Sequence, residues 1–367
     1  MSMTPVVRAA TTLVAATALA AALAACSVTP VPAPTATDPA PTVDPTPVAA
    51  PAGSRPDART DTTCAGLIDP AALSAPFSAA VVLAGPERTQ EWIGTVLSDA
   101  WTVRQAGGLA CEWSTPDSLV TSEGWFGYEG VQLRLLPATP DEWAQYSGGQ
   151  AVVEECYADS CTIHEYLPNG WWMTVRGFDF VGAFGGDPSG QVGGLQAALR
   201  APVAALAAPV EPWSPPAPEI DLAGGCDAVI APAAITAAFG LPDSGVPQAQ
   251  GGDIGEYFAQ ESTGATACRW LAADSFTLIA YVEALPGGAW AMTESLAAAP
   301  APASPVAVAG HSGDAFLRDH VDFAVLEMDL GGTWVKISAP TAEPVGTSGA
   351  DTALAIAARI VADHPAP

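Results

Sequence analysis

Cys64-Ala-Gly-Leu-Ile-Asp-Pro-Ala-Ala-Leu73 returns as Cys226-Asp-Ala-Val-Ile-Ala-Pro-Ala-Ala-Ile235, with cysteine, apolar pair, proline and closing aliphatic residue in the same places. The correspondence continues outward in unchanged order. Ala110-Cys-Glu-Trp113 recurs as Ala267-Cys-Arg-Trp270, and Leu136-Pro137 with Trp143 as Leu285-Pro286 with Trp290. Asn169-Gly-Trp-Trp172-Met-Thr-Val175 recurs as Gly331-Gly-Thr-Trp334-Val-Lys-Ile337. One such match could arise by chance, but a series in one order marks a tandem duplication. The boundary falls in the proline-rich stretch Pro212-Trp-Ser-Pro-Pro-Ala-Pro218.

Each copy reads as a short helix opened by Pro70 or Pro232, a strand carrying Cys-x-Trp, and a second, partly alternating strand. A helix follows at Thr139-Pro-Asp-Glu142, whose acids suit the positive end of the helix dipole. Two strands around Gly170 or Gly332 form a hairpin, and an Ala-rich helix closes the copy. In the first copy Leu195, Leu199, Val203 and Leu206 lie at helical spacing. The expected fold is α+β: two tandem copies of a small domain, each an antiparallel sheet with an N-terminal and a C-terminal helix. The segments are a signal peptide at 1–25, a Pro/Thr-rich tether at 26–60, a first repeat at 61–210, a linker at 211–220 and a second repeat at 221–367.

The N-terminal segment assigns the compartment. Arg8 precedes an apolar run from Ala9 to Ala22, too short to span a bilayer but of signal-peptide length. The Leu23-Ala-Ala-Cys26 that follows resembles the lipobox of bacterial lipoproteins. That resemblance implies diacylation of the Cys26 thiol and cleavage before it, giving a lipoprotein exported to the outer face of the cytoplasmic membrane. Two acyl chains make a stable anchor where one is marginal. The prolines from Pro30 to Pro47 forbid helix and sheet and favour an extended polyproline tether.

Seven cysteines are an odd number for an exported protein. With Cys26 consumed by lipid, six remain to pair. The repeat places Cys64 with Cys111 and Cys226 with Cys268, and leaves Cys156 with Cys161 as an addition in the first copy.

Charge narrows the partners. The formal net charge is −27, a surface that repels phosphate backbones, so no nucleic-acid partner is expected. No catalytic residue, cofactor or metal site is expected from the motifs in the chain. His164-Glu165 lacks a second histidine, and in Gly310-His-Ser-Gly-Asp314 the glycine that a nucleophile elbow needs is displaced. Asp314, Asp319, His320 and Asp322 read as solvated side chains.

Among the eleven tryptophans, six recur between the copies and read as core. Trp92, Trp101, Trp125 and Trp171 do not recur, which suggests an aromatic binding face on the first copy, with Trp171 turned outward from its core neighbour. The cysteine, apolar-pair and Cys-x-Trp pattern, behind a lipobox and a Pro/Thr tether, resembles small actinobacterial envelope lipoproteins with domains of unassigned function. The residues that carry it are Cys64, Leu67, Ile68, Cys111 and Trp113, with Cys226, Val229, Ile230, Cys268 and Trp270. It implies an accessory or sensor-like module. The expected function is a lipid-anchored, non-enzymatic binding or interaction module whose partner is a cell-wall polymer or an envelope protein. The alternatives are an envelope hydrolase without a recognisable motif and a structural partner of a membrane complex.

Overall fold

The computed structural model describes residues 56, 59–84, 99–116, 128–156, 160–179, 185–209, 222, 225–239, 247–249, 253–272, 277–298, 302–319, 323–341 and 346–365. The first half contains α1 (Cys64–Leu67), a 3-10 turn (Pro70–Leu73), β1 (Val82–Leu83), α2 (Asp99–Gln105), β2 (Leu109–Ser114) and β3 (Glu129–Pro137). It continues with α3 (Pro140–Ser147), β4 (Val152–Cys156), β5 (Ser160–Tyr166), β6 (Trp171–Asp179) and α4 (Pro188–Ala204). The second half contains α5 (Cys226–Val229), α6 (Pro232–Phe239), β7 (Pro247–Ala249), α7 (Ile254–Thr263), β8 (Thr266–Leu271) and β9 (Leu278–Leu285). Then come α8 (Ala289–Ala298), β10 (Ser304–Pro305), β11 (Ala315–Asp319), β12 (Phe323–Leu330), β13 (Thr333–Pro340) and α9 (Gly349–Asp363).

The fold is α+β, with two antiparallel sheets of six and seven strands, each packed with helices. Their strand orders correspond. The first runs β1-β2-β3-β6-β5-β4, and the second, read from its opposite end, β7-β8-β9-β13-β12-β11-β10. Among the described residues β10 alone has no counterpart.

Alternation along the strands builds each core. Val131, Leu133 and Leu135 of β3 and Trp171, Met173 and Val175 of β6 point to one face, where Val192, Leu195, Leu199 and Val203 of α4 cover them. In the second half Val335, Ile337 and Ala339 of β13 meet Ala353, Ile356, Ala357 and Ile360 of α9 in the same way. The helix at residue 140 starts as its sequence requires: the Thr139 hydroxyl accepts from the Glu142 amide at 3.2 Å, and the Glu142 carboxylate accepts from the Thr139 amide at 2.7 Å.

All three expected disulfides are present: Cys64–Cys111, Cys226–Cys268 and Cys156–Cys161. The first and second close loops of 47 and 42 residues, each worth about 4 kcal/mol on the loop-entropy estimate. Such bridges belong to an oxidising, extracytoplasmic setting. Among the described residues no helix is long and apolar enough to cross a membrane.

The short helix expected after Asp69 is present as a 3-10 helix opened by Pro70, and Leu73 is buried. One local expectation is corrected. Trp171 does not face outward: both it and Trp172 are fully buried. The reason is that this sheet is covered on both faces, so adjacent tryptophans with opposite directions each meet apolar surroundings. Trp171 lies in the first core, and its indole donates to the Ala207 carbonyl at 2.9 Å.

Candidate functional site

The second face of each sheet carries the least expected chemistry, and it begins with two helices, α2 and α7, that lead into the Cys-x-Trp strands. Gly107 stands four residues before Cys111 and Gly264 four before Cys268, both with positive φ and both just after a helix. That register superposes α2 on α7 and Trp101 on Phe258. Each helix then inserts its aromatic residue into the opposite half. Trp101 meets Trp290 and Trp334 edge-on, with centroids 5.6 and 6.1 Å away. Phe258 stacks on Trp172 at 5.1 Å and meets Tyr146 at 5.6 Å. Leu285 lines the first nest and Leu136, its sequence counterpart, the second. The halves are therefore joined by a reciprocal seam with two matching aromatic knobs.

Polar contacts accompany each knob. Gln105 donates to the Pro286 carbonyl at 2.8 Å and accepts from the Trp290 indole at 2.6 Å, both buried. Arg104 lies over the Trp101 ring and 3.7 Å from Glu294. On the other side the Tyr146 hydroxyl donates to Glu261, and burial, with Glu261 beside it, pushes that phenol well above its ordinary pKa.

Beside the knobs a row of polar side chains crosses each sheet. In the first sheet Arg134 pairs in register with Thr174, and Thr174 with His164. Arg134 and His164 are buried. Arg134 reaches across the seam, donating to Asp253 and to Glu256, each at 2.8 Å. Asp253 also caps α7, accepting from the amides of Gly255 and Glu256 at 3.0 Å each. Burial alone would raise the Asp253 carboxyl, but the Arg134 guanidinium, helped by Arg176 and by the Glu256 amide, holds the group below the usual range.

The close approach of α7 depends on Gly255. A Cβ there would lie 2.9 Å from the Thr174 hydroxyl and 3.2 Å from the Asp253 carboxylate. His164 holds Thr174 through Nδ1 at 3.0 Å, and its Nε2 lies 3.7 Å from Glu155.

The corresponding row in the second sheet is Glu283, Lys336 and Glu327, again in cross-strand register. All three are buried. Arg318 binds Glu327, and Ser295 of α8 donates to the same carboxylate at 3.4 Å. Burial depresses the Lys336 ammonium to a pKa of about 8, against the opposing pull of Glu283. Lys336 is the chain's only lysine.

These rows are enclosed charge arrays without an exposed nucleophile. The first row orients the halves against each other, because the Arg134 fork fits two carboxylates of one helix turn. No family model, curated protein or solved structure matches the chain.

The residues singled out from sequence fare unevenly. Trp101 and Trp171 are buried in separate clusters, so neither contributes to an exposed aromatic face. Trp92, Trp125 and Cys26 lie outside the described residues, as do His320 and Asp322. Asp314 and Asp319 are exposed, and among the described residues no group of His, Cys, Asp and Glu is placed to hold a metal. Arg134, Asp253, Glu283 and Glu327 escaped the sequence reading. Lys336 gave no signal either, since a lysine between Val335 and Ile337 reads as the solvent-facing position of an alternating strand.

Proposed function

We propose that this chain is an extracytoplasmic, lipid-anchored binding or interaction module of the cell envelope, built from two copies of one α+β domain by tandem duplication. The observation that carries the anchor is the cysteine pairing. Three disulfides use Cys64, Cys111, Cys156, Cys161, Cys226 and Cys268, leaving over the single cysteine that ends Leu23-Ala-Ala-Cys26. The duplication reading is supported by equal strand order in the two sheets and by the matched knobs of the seam.

Metabolic labelling with an alkyne fatty acid tests the anchor. The full chain should take up label and sediment with membranes, and Cys26→Ala should lose both properties. Label and sedimentation that persist in Cys26→Ala would overturn the reading.

A further inference from the structure

The two sheets differ at one edge. In the second sheet the outer side of β11 is paired with β10, where Ser304 sits opposite Leu317 and Pro305 opposite Phe316. The Val306 amide, one residue on, donates to the Ala315 carbonyl at 2.9 Å. In the first sheet the equivalent strand is β4, and among the described residues no strand pairs with its outer side.

Cross-strand register fixes the equivalence. Val153 is opposite His164 as Phe316 is opposite Glu327, and Glu154 is opposite Ile163 as Leu317 is opposite Leu326. Val152 therefore takes the place of Ala315, whose carbonyl accepts from the added strand.

β4 is also the edge with a built-in staple. Cys156–Cys161 ties the end of the β4–β5 hairpin, and the second half has no bridge there. The edge is exposed at Val152, Glu154 and Cys156, with Val152 an exposed large apolar residue at 38%. A stapled edge that no described strand covers, with exposed apolar surface, invites strand addition.

We infer that the β4 edge is a docking site for an extended segment of a partner protein bearing Lys or Arg, added antiparallel as β10 is added to β11. Charge selects the occupant. Glu154 and Glu155 stand on the edge strand of a chain with net charge −27. Pairing β4 with β4 of a second copy would bring these acids together, which antiparallel pairing penalises. A proline in the incoming segment is tolerated at an edge, as Pro305 shows. The inference gives the proposed binding module a surface and a partner class. Its test needs no lipid, so its failure leaves the anchor reading intact, and failure of the anchor leaves the edge.

The test uses the full chain from residue 26 with Cys26→Ser, and a fluorescent peptide that copies residues 302–308 with two lysines added at each end. The same peptide flanked by glutamates is the control. The lysine peptide should bind at least tenfold more tightly, and should slow amide hydrogen exchange within residues 152–156 of the otherwise unaltered chain. Glu154→Lys with Glu155→Lys should reverse the preference between the peptides. Equal binding, no binding, or protection on another strand would overturn the inference. So would self-association that protects β4, or a tenfold gain on deleting residues 27–55, which would make the chain's own tether the occupant.

Discussion

The two polar rows occupy the same positions on two sheets of the same strand order and solve the problem of buried charge differently. In the first sheet the row is Arg134, Thr174 and His164, and the arginine is met by Asp253 and Glu256 from the other half. In the second sheet Lys336 lies between Glu283 and Glu327 on neighbouring strands of its own sheet. The two buried rows thus share their cross-strand register while differing in charge. The first row ties the halves together, and the second rigidifies one sheet. Burial demands a partner for each charge but does not dictate which element supplies it.

The comparison can be broken most sharply at the knobs. Trp101→Ala and Phe258→Ala should each cost about 3–5 kcal/mol, as large aromatic truncations in packed sites do. Because each knob belongs to one half and fills the other, both variants should still unfold in a single transition by calorimetry. A half that melts alone in either variant would show that the seam does not couple them.

The latch comes next. Arg134→Ala leaves Asp253 buried beside an uncompensated site and should cost about 3 kcal/mol in urea denaturation. Adding Asp253→Asn should recover part of that loss, and no recovery would mean that Arg134 acts through packing alone.

The rows also differ in their pH response. The Asp253 carboxyl is held low in the folded state, so its contribution is present above its ordinary value of 3.8 and is lost as pH falls through the folded-state value. Arg134→Ala should move the acid-unfolding midpoint upward. Lys336 has the opposite placement: its pKa falls from 10.5 to about 8 on folding. Above pH 8 the unfolded chain holds the extra proton, so this group makes stability rise as pH climbs from 8 towards 10.5. Lys336→Met should flatten that rise, and an unchanged slope would remove Lys336 as its source.

The smallest effect separates two equivalent helices. Thr139→Ala removes the cap of α3 and should cost about 1 kcal/mol, measurable as a small shift in denaturation midpoint. α8 starts instead from a turn in which the Ala291 and Met292 amides donate to the Gly288 carbonyl, and it has no equivalent threonine to lose.

Much of the fold was legible. The hairpins around Gly170 and Gly332 and the closing helix announce themselves through turn residues and spacing. α2 and α7 did not, because Trp101 and Val103 of one short helix enter different clusters and leave no single apolar stripe. The polar rows were hidden for a related reason. Arg134, Thr174, Glu283 and Lys336 alternate with core residues, which reads as a solvent-facing pattern. Arg134 is met by Asp253 and Glu256 of the other half and Glu327 by Ser295 of α8, and no local period records such contacts. Trp171 misled by the same logic, since adjacent strand residues oppose each other but need not face water.

The knobs have a practical consequence. Trp101, Trp290 and Trp334 form one edge-to-face indole cluster assembled from both halves, while Trp172 stacks on Phe258 in the other. Coupled indoles held at fixed angles are strong chromophores for near-ultraviolet circular dichroism. The protein thus carries an optical gauge of its own seam, readable without a label whenever the halves part or close.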